Sequence, residues 1–511
     1  MGDLREDLAR SASEVRETHI SWVFLGEHTV LKVKKPVDFG FLDFSDSERR
    51  RRACLSEVQL NARLAPGVYT GVVPITRRAD GVHEIDGAGS VVDWGVQMRR
   101  LADTDRADLR LAAGRLDSGH IERLARELAR FHRAAASTAE IAEFGRVDRI
   151  VVNVRENFAQ AHARLSGLVS EAQQREVEDA QLTFLEQHAE LFQQRIEHGR
   201  IRDGHGDLRL EHVYLDADGA PTIIDCIEFN ERFRYADVCA DIAFLSMDLA
   251  YHGRVDLKER LLAAYASESD DHDLYALVDF YESYRAYVRA KISALGLAAA
   301  ALPERHELER QARRYFLLSL ASERAPDSVP RLIAVAGLIA SGKSTLARGL
   351  AAQSALSWIS SDRVRKSLRG VEPTTPLRDA AFAASYSEEF SERVYAELLR
   401  RAEVVLKSRR SVVIDASFRS SAARARARAL ALRLNLPFVL LECRAPPELS
   451  RARLVERARG PSESDGRIQI FDDFVAQYEP VTELDPSEHV VVDTSGSVEQ
   501  ALAALRSRGV L

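Results

Sequence analysis

Apolar and polar positions alternate over the first hundred residues as they do in half-buried strands. The runs WVFLG and TVLKVKK stand on either side of Gly26–Glu27–His28 and predict a hairpin. A charged helix is expected from about Ser45 to Leu64, and VVDWGVQMRRL (91–101) reads as a further strand. From about Ser118 the period lengthens. Ile121, Leu124, Leu128, Phe131 and Ala135 recur at helical spacing, and helical signal continues to about Arg200. A loop-and-strand segment, GHGDLRLEHVYLDADGAPTIIDCIEF (204–229), interrupts it before helices resume to about Ser322. ASERAPDSVP (321–330) then breaks the pattern with two prolines. Beyond it, short apolar runs alternate with helical stretches: RLIAVAG (331–337), SWIS (357–360), SVVIDAS (411–417), PFVLLEC (437–443) and HVVVDTS (489–495). That alternation predicts a parallel sheet with helices on both faces. The expected division is a domain over 1–322, a linker over 323–330 and a second domain over 331–511.

Composition narrows the classes of function. The chain of 511 residues is 46% hydrophobic and 29% charged, which excludes wholesale disorder. A net charge of −7 argues against a general nucleic-acid coat and leaves room only for a local basic patch. Four cysteines, Cys54, Cys226, Cys239 and Cys443, form no CxxC pair, so a disulfide framework or Cys-rich zinc site is not expected. The charged start MGDLREDLARSASE has no apolar core of a signal peptide, and no apolar run reaches the length of a membrane span. A cytoplasmic protein without membrane contact is expected, and no pattern in the chain sets an oligomeric state.

The most specific chemistry lies at Gly337-Leu-Ile-Ala-Ser341-Gly342-Lys343-Ser344-Thr345, which fits G-x-x-x-x-G-K-[ST] between an apolar strand and a helix. Glycines let backbone N–H groups curl around phosphate oxygens. Lys343 would neutralise the β- and γ-phosphates and Ser344 would offer a hydroxyl to Mg²⁺, with the helix N-terminus adding a favourable dipole. ATP and Mg²⁺ are the implied cofactors. Downstream, Asp362 and Arg365 in WISSDRVRKSL stand three apart after a short strand and could supply a base and an anchor for an acceptor hydroxyl. Asp415 ends the strand of SVVIDAS, where a carboxylate can serve the metal or the attacking hydroxyl. Arg453 and Arg457, four apart on one helical face, could close over the transferring phosphate; a solvated basic face is the plainer alternative.

Together GLIASGKST, SSDRVRK, VVIDASF, the Arg453/Arg457 segment, SESDG (462–466) and VVDTSG (491–496) resemble the AAA_33-type small P-loop kinases, relatives of polynucleotide kinases, zeta toxins and gluconate kinase. The resemblance covers about 331–511 and implies a general base at Asp362 and an acceptor-phosphate anchor at Arg365. It leaves the acceptor open, since the family phosphorylates nucleic-acid ends, nucleotide sugars and small sugars.

A second constellation lies in the first domain. His205-Gly-Asp207-Leu-Arg-Leu-Glu-His212 is followed by Ile224-Asp225. A loop aspartate, Asp207, can accept the proton of a hydroxyl, and Asp225 after a short strand can hold Mg²⁺. Lys32 or Lys34 could meet the phosphates, with Glu57 on the following helix pairing with that lysine. This ordered set resembles the aminoglycoside phosphotransferase family over roughly 18–300. HGDLRLEHVYL matches its catalytic loop, IDCIEF its metal-binding element, LARELARFHRAA (124–135) its Leu-x-x-Phe-His helix, and VQMRRL, with Met98, its adenine-contacting hinge. Both resemblances together imply a mixed α/β and α+β chain: an N-terminal bilobal, protein-kinase-like domain and a C-terminal P-loop NTPase domain with a parallel sheet. The whole resembles the bacterial fusions of these two modules.

One position departs from the family. His212 stands where the resembled loop carries a metal-binding Asn, and an imidazole suits Mg²⁺ poorly. Asp225 with help from Glu228, a softer ion such as Mn²⁺, or a catalytically weak lobe are the readings this leaves. Arg285 and Arg289, one turn apart, could hold an anionic or sugar acceptor or belong to a core tyrosine stripe. The acidic run Glu268, Asp270, Asp271 and Asp273 could instead attract a polycation, or be a solvated loop, and Asp237 and Asp241 are expected to brace the catalytic loop. The expected function is ATP-dependent phosphotransfer to a hydroxyl of a small-molecule, sugar-like or aminoglycoside-like acceptor. The alternatives are a polynucleotide 5′-hydroxyl kinase and a nucleotide-sensing regulator.

Overall fold

The computed structural model describes residues 3–38, 40, 42–298, 300–320, 329–377, 384–460 and 462–509. Most of the expected linker, 323–328, lies outside the described residues. Two units emerge: Met1–Arg254 with Phe280–Leu320, and Val255–Asp279 with Ala321–Leu511.

The first unit opens with an antiparallel sheet of β1 (Glu14–Glu17), β2 (Ser21–Leu25), β3 (Thr29–Lys34), β4 (Tyr69–Arg77), β5 (His83–Ile85) and β6 (Ser90–Arg99), in the order β1-β2-β3-β6-β4-β5. The β2–β3 hairpin turns where the apolar pattern breaks, with the Gly26 N–H donating to Thr29 O at 2.8 Å. The helix Ser47–Asn61, capped by the Asp46 side chain, packs on β4 and β6 over an apolar cluster that includes Val30, Cys54, Tyr69, Val96 and Met98. Burying such side chains contributes roughly 1.5–3 kcal/mol each. Strands β4 and β5 had no separate signal in the sequence; β4 carries Gly71 and Pro74, which weaken a strand pattern.

The rest of this unit is mostly helical. Two short hairpin-like pairs interrupt it: β7 (Ile201–Asp203) with β10 (Tyr235–Asp237), and β8 (Val213–Leu215) with β9 (Pro221–Ile223). They hold the loop of the HGD motif. The helix Val238–Tyr251 behind that loop is buried along nearly its whole length. Helices Val278–Gly296 and Leu302–Leu320 follow.

The second unit is built on β11 (Leu332–Ala336), β12 (Ser357–Ser360), β13 (Val412–Asp415), β14 (Phe438–Arg444) and β15 (His489–Asp493), all parallel, in the order β12-β13-β11-β14-β15. Strands β11 and β13 are buried at every position, which explains their unbroken apolar runs. The chain leaves β11 for one side of the sheet and later returns on the other, so the loop after β11 sits at the switch point where such sheets bind ligands.

Val255–Asp279, which the sequence placed within the first domain's span, packs in this second unit. Arg401 pairs with Asp270 at 2.6 Å, Arg400 with Asp273 at 2.8 Å and Arg410 with Glu259 at 2.8 Å. The Arg-rich helix Ser421–Arg433 is neutralised by acids: Arg424 by Glu483, Arg426 by Glu392, Arg428 by Glu488 and Arg433 by Glu403.

Candidate active sites

The phosphate loop of the second unit forms at the end of β11 because only glycine suits two of its positions. Gly337 has φ +141°, and a Cβ there would lie 2.6 Å from Ser341 Oγ and 2.7 Å from Cys443 O. Gly342, at φ +90°, opens the helix Lys343–Ser354. The result is a cradle of backbone amides at a helix N-terminus. Lys343 Nζ donates only to Leu338 O, at 3.4 Å, and makes no ion pair among the described residues.

Asp415 closes β13, the strand beside β11, and is 2% exposed. Neither of its carboxylate oxygens has a hydrogen-bond partner, and buried Ser341 Oγ also lacks one. Burial pushes the Asp415 carboxyl up to about 6, against the pull of the Lys343 charge. An uncompensated buried carboxylate beside a hydroxyl fits a hard divalent cation such as Mg²⁺. Asp362 lies in the first turn of the helix Ser361–Leu368 that follows β12. With Lys343, Ser344, Arg348, Arg457 and Ser464 it lines a cavity of about 80 Å³. A second cavity of about 280 Å³ shares Gly342, Thr345 and Arg457 and is lined further by Arg453, Thr494 and Ser497.

The two lid arginines divide their work. Arg453 donates to Thr494 O at 2.7 Å and to Ala340 O at 3.4 Å, tying its helix, Pro447–Arg457, to the phosphate loop. Arg457 lines both cavities; burial lowers its pKa while Asp362 and Asp415 act in the opposite sense. Arg365 takes another direction. It is buried, donates to Ser385 O, and stacks over the Tyr386 ring at 4.6 Å, outside the lining of either cavity. Loop residues 462–465, which the sequence marked only as SESDG, are anchored by buried Lys366: its Nζ donates to Glu463 O at 2.6 Å and pairs with Asp465 at 3.5 Å.

In the first unit, Lys32 and Lys34 share one face of β3, and both reach Glu57 on the helix above. Lys34 is fully buried between Glu57, at 2.5 Å, and Glu228. Lys32 bridges Glu57 at 2.8 Å and Asp225 at 2.6 Å. Burial would lower the Lys32 pKa, but Asp225 and Glu57 hold it well above the ordinary range. Lys32 is therefore the lysine that reaches Asp225, and Glu228 is committed to Lys34. Met98 sits in the apolar cluster with Tyr69 and Val30, beside Ile224.

Asp225 adopts φ +64°, an uncommon conformation for a residue with a side chain and one concentrated at functional sites. Its N–H donates to the Tyr69 hydroxyl at 3.1 Å. Asp207 is held by Arg209 in a two-point pair, at 2.9 and 3.0 Å. Burial raises the Asp207 carboxyl, but Arg209 and His212 bring it far below the usual range. The loop itself hangs on Asp241, which accepts from the N–H groups of His205 at 2.7 Å and Gly206 at 2.9 Å. Asp237, also expected to brace the loop, instead pairs with Arg195 at 2.7 Å and caps the helix Val238–Tyr251. Asp248 had no signal in the sequence; it accepts from the Leu210 N–H at 2.9 Å.

His212 lies between the two aspartates. Its Nδ1 is 2.8 Å from Asp207 O, an acceptor, so Nδ1 donates there. Its Nε2 faces Arg209 Nη2 at 3.4 Å and Asp225 Oδ2 at 3.5 Å. His212 and Asp225 thus offer two convergent metal donors; among the described residues, no group of three or more His, Cys, Asp and Glu is arranged around one ion. Arg289 has a buried Nε with no hydrogen-bond partner and stacks over the Tyr315 ring at 5.6 Å. Arg285, by contrast, is taken up in packing: it is buried, donates to Ala240 O at 3.4 Å and stacks over Phe244 at 4.8 Å.

These sites define an ATP-dependent phosphotransferase. Residues 41–281 match the phosphotransferase enzyme family APH, and residues 332–481 match the AAA domain family AAA_33. Over 455 residues the chain is 36% identical to the uncharacterized protein Rv2004c of Mycobacterium tuberculosis (strain ATCC 25618 / H37Rv), covering 89% of this chain and 88% of that one. The chain belongs to this family of two-module proteins, an aminoglycoside-phosphotransferase-like kinase joined to an AAA_33-type P-loop kinase. Among solved structures, the GDP and kanamycin complex of APH(2")-IIia is 17% identical, with a TM-score of 0.37 over 60% of this chain and 93% of that one. A gluconokinase from Sinorhizobium meliloti 1021 is 18% identical, with a TM-score of 0.26 over 36% of this chain and 97% of that one. The APH match begins at residue 41, after Lys32, and the geometry chooses Lys32 over Lys34 as the lysine that reaches Asp225.

Proposed function

We propose that each unit transfers the γ-phosphoryl of ATP to a hydroxyl of a small-molecule acceptor. The observation that carries this is the P-loop cradle, in which Lys343, Asp362 and Arg457 converge on one small cavity next to the uncompensated carboxylate of Asp415. In the second unit, Asp362 accepts the proton of the acceptor hydroxyl while that oxygen forms its bond to the γ-phosphorus. The bond from the γ-phosphorus to the β,γ-bridging oxygen breaks, and ADP leaves with its negative charge balanced by Lys343, Arg453 and Arg457. Asp415 and Ser344 would hold Mg²⁺, which supplies charge neutralisation at the phosphates. In the first unit the corresponding roles fall to Asp207 as base, Lys32 held by Glu57 at the phosphates, and Asp225 with His212 as metal donors. That donor pair favours a softer ion such as Mn²⁺. Met98 with its apolar neighbours would contact adenine.

A sugar-like acceptor is favoured over a polynucleotide end in the second unit. The cavity at Asp362 is small, and the Arg-rich helix is neutralised by acidic partners instead of forming a basic track. The second reading, a nucleotide-sensing first unit that does not turn over, rests on the tight Asp207–Arg209 pair. Label transfer from γ-labelled ATP, screened over sugars, aminoglycosides, nucleosides and short oligonucleotides, tests both. The full chain is compared with its Lys343→Ala and Asp225→Ala forms to assign each product to a unit. Phosphorylated product from neither unit, with ATP hydrolysis unaffected by any acceptor, would favour the sensor.

A further inference from the structure

Two charged features that follow the HGD loop along the sequence pointed to opposite kinds of acceptor, and the structure separates them. The acidic run is spent inside the second unit: Asp270 pairs with Arg401, Asp273 with Arg400, and Asp271 is buried. None of these carboxylates is left as a lure for a polycation. The arginine pair is split as well, Arg285 being consumed in packing and Arg289 not.

Arg289 is held in a fixed place without being satisfied there. Its guanidinium lies at the end of a ladder in which Arg314 stacks on Tyr251 at 4.5 Å, Tyr251 on Tyr315 at 4.0 Å and 12°, and Tyr315 under Arg289 at 5.6 Å. Its Nε is buried with no partner, and it makes no hydrogen bond or ion pair among the described residues. An arginine left this way costs free energy unless a ligand completes it. The acids nearby are already engaged. Asp207 is bound by Arg209, Glu211 is paired with the same Arg209, and Asp248 accepts from the Leu210 N–H. The Arg289 charge is close enough to act on all three. Among the described charged groups beside the base, Arg289 is thus the one that makes no ion pair, and its planar fork suits a carboxylate or phosphate oxygen pair.

We propose that the first unit's acceptor is an anionic hydroxyl compound, a small polyol or sugar carrying a phosphate or carboxylate, bound through that group by Arg289 with its hydroxyl presented to Asp207. The inference rests on the reading of this unit as a kinase. In the transfer the acceptor O–H bond breaks with its proton passing to Asp207, the new O–P bond forms, and the β,γ-bridging P–O bond breaks to release ADP. A polycationic aminoglycoside would meet like charge at Arg289, with Asp207 and Glu211 already engaged by Arg209, and is disfavoured as the acceptor.

The test is calorimetric titration into the full chain carrying Lys343→Ala, which removes nucleotide binding at the second unit, with ADP and Mn²⁺ present. The probes are glycerol 3-phosphate and gluconate, against neutral glycerol and glucose and cationic kanamycin. Binding is expected for at least one anion and for none of the others. Arg289→Gln should weaken that binding about tenfold or more, the loss of one charge-assisted contact, and leave the nucleotide affinity unchanged. Should Arg289→Gln fail to fold, Arg289→Lys, which keeps the charge and loses the fork, is expected to weaken the anion by a smaller factor. Kanamycin binding more tightly than either anion, anion affinity indifferent to Arg289, or no anion binding at all would each overturn the proposal. Failure of wild type to bind nucleotide at this unit would instead strike the kinase reading, and Arg289-dependent anion binding would still support the anion site.

Discussion

The two phosphate sites of this chain solve one electrostatic problem in opposite ways. In the second unit Lys343, Asp362 and Arg457 face a cavity without ion pairs among the described residues, and Asp415 is buried without a hydrogen bond. In the first unit every corresponding charge already has a partner: Lys32 has Glu57 and Asp225, Lys34 has Glu57 and Glu228, and Asp207 has Arg209. The open site stores its cost in the unliganded protein and would recover it on binding a metal nucleotide. The paired site is comfortable empty and must exchange internal pairs for ligand contacts. Uncompensated groups therefore mark where a ligand is most strongly demanded, and among the described charged groups around the first unit's HGD loop Arg289 has that character.

Substitutions can sharpen or break this contrast, beginning with the largest effect. Asp362→Asn should slow phosphoryl transfer by the second unit by about 10²–10⁴-fold, the range for loss of a general base, with ATP affinity retained. Steady-state transfer and calorimetry on the same sample check it, and a wild-type rate would remove Asp362 from the chemistry. Next, Lys34→Met should destabilise the first unit by about 3–5 kcal/mol, because Glu57 and Glu228 are left buried against each other. Lys343→Met leaves no ion pair behind and should cost about 1 kcal/mol or less while abolishing ATP binding in its unit. Chemical denaturation of the two variants reads the difference, and equal losses would erase the distinction between paired and open sites.

The same substitution at Asp415 and Asp225, the aspartates proposed to hold metal, should have opposite signs. Asp415 is raised in the folded protein, so between its ordinary value near 3.8 and about 6 the folded state holds the extra proton, and stability falls as pH rises through that window. At neutral pH the penalty is fully present, and Asp415→Asn should stabilise the unliganded protein by about 2–3 kcal/mol while weakening Mg²⁺-dependent ATP binding. Asp225 is lowered: burial opposes ionisation, but Lys32 and His212 outweigh it. Asp225→Asn should then destabilise by about 1 kcal/mol, since solvent screens this partly exposed side chain, and asparagine tolerates the positive φ, so the loss reports the broken pair and not backbone strain. Thermal unfolding without nucleotide at neutral pH distinguishes the two signs. The smallest effect expected is at His212. His212→Asn should shift the metal preference of nucleotide binding in the first unit from Mn²⁺ toward Mg²⁺ by about tenfold or less, measured by titration with each ion.

The amino-acid sequence by itself determined those features whose chemistry is local. The phosphate loop was legible because its glycines, lysine and serine are contiguous and their spacing is dictated by one strand–turn–helix. The parallel order of short apolar runs followed from burial on both faces of a sheet, as at β11 and β13. The catalytic-loop aspartates and Glu57 were legible as an ordered set of residue types. What the sequence left open was decided by partners distant along the chain. Lys32 and Lys34 are two apart on one strand, so alternation puts them on the same face, and only the depth of the pocket between Glu57 and Glu228 separates them. Arg285 and Arg289 are four apart on one helical face, and packing against Phe244 or Tyr315 decides which is consumed. Arg365 stood at the right spacing from Asp362 but turns to Ser385 and Tyr386. Val255–Asp279 lies inside one domain's span yet packs in the other unit, because Asp270, Asp273 and Glu259 find arginines more than a hundred residues away. Periodicity records which face of an element is buried, but the charge that neutralises a given side chain is set by the tertiary fold.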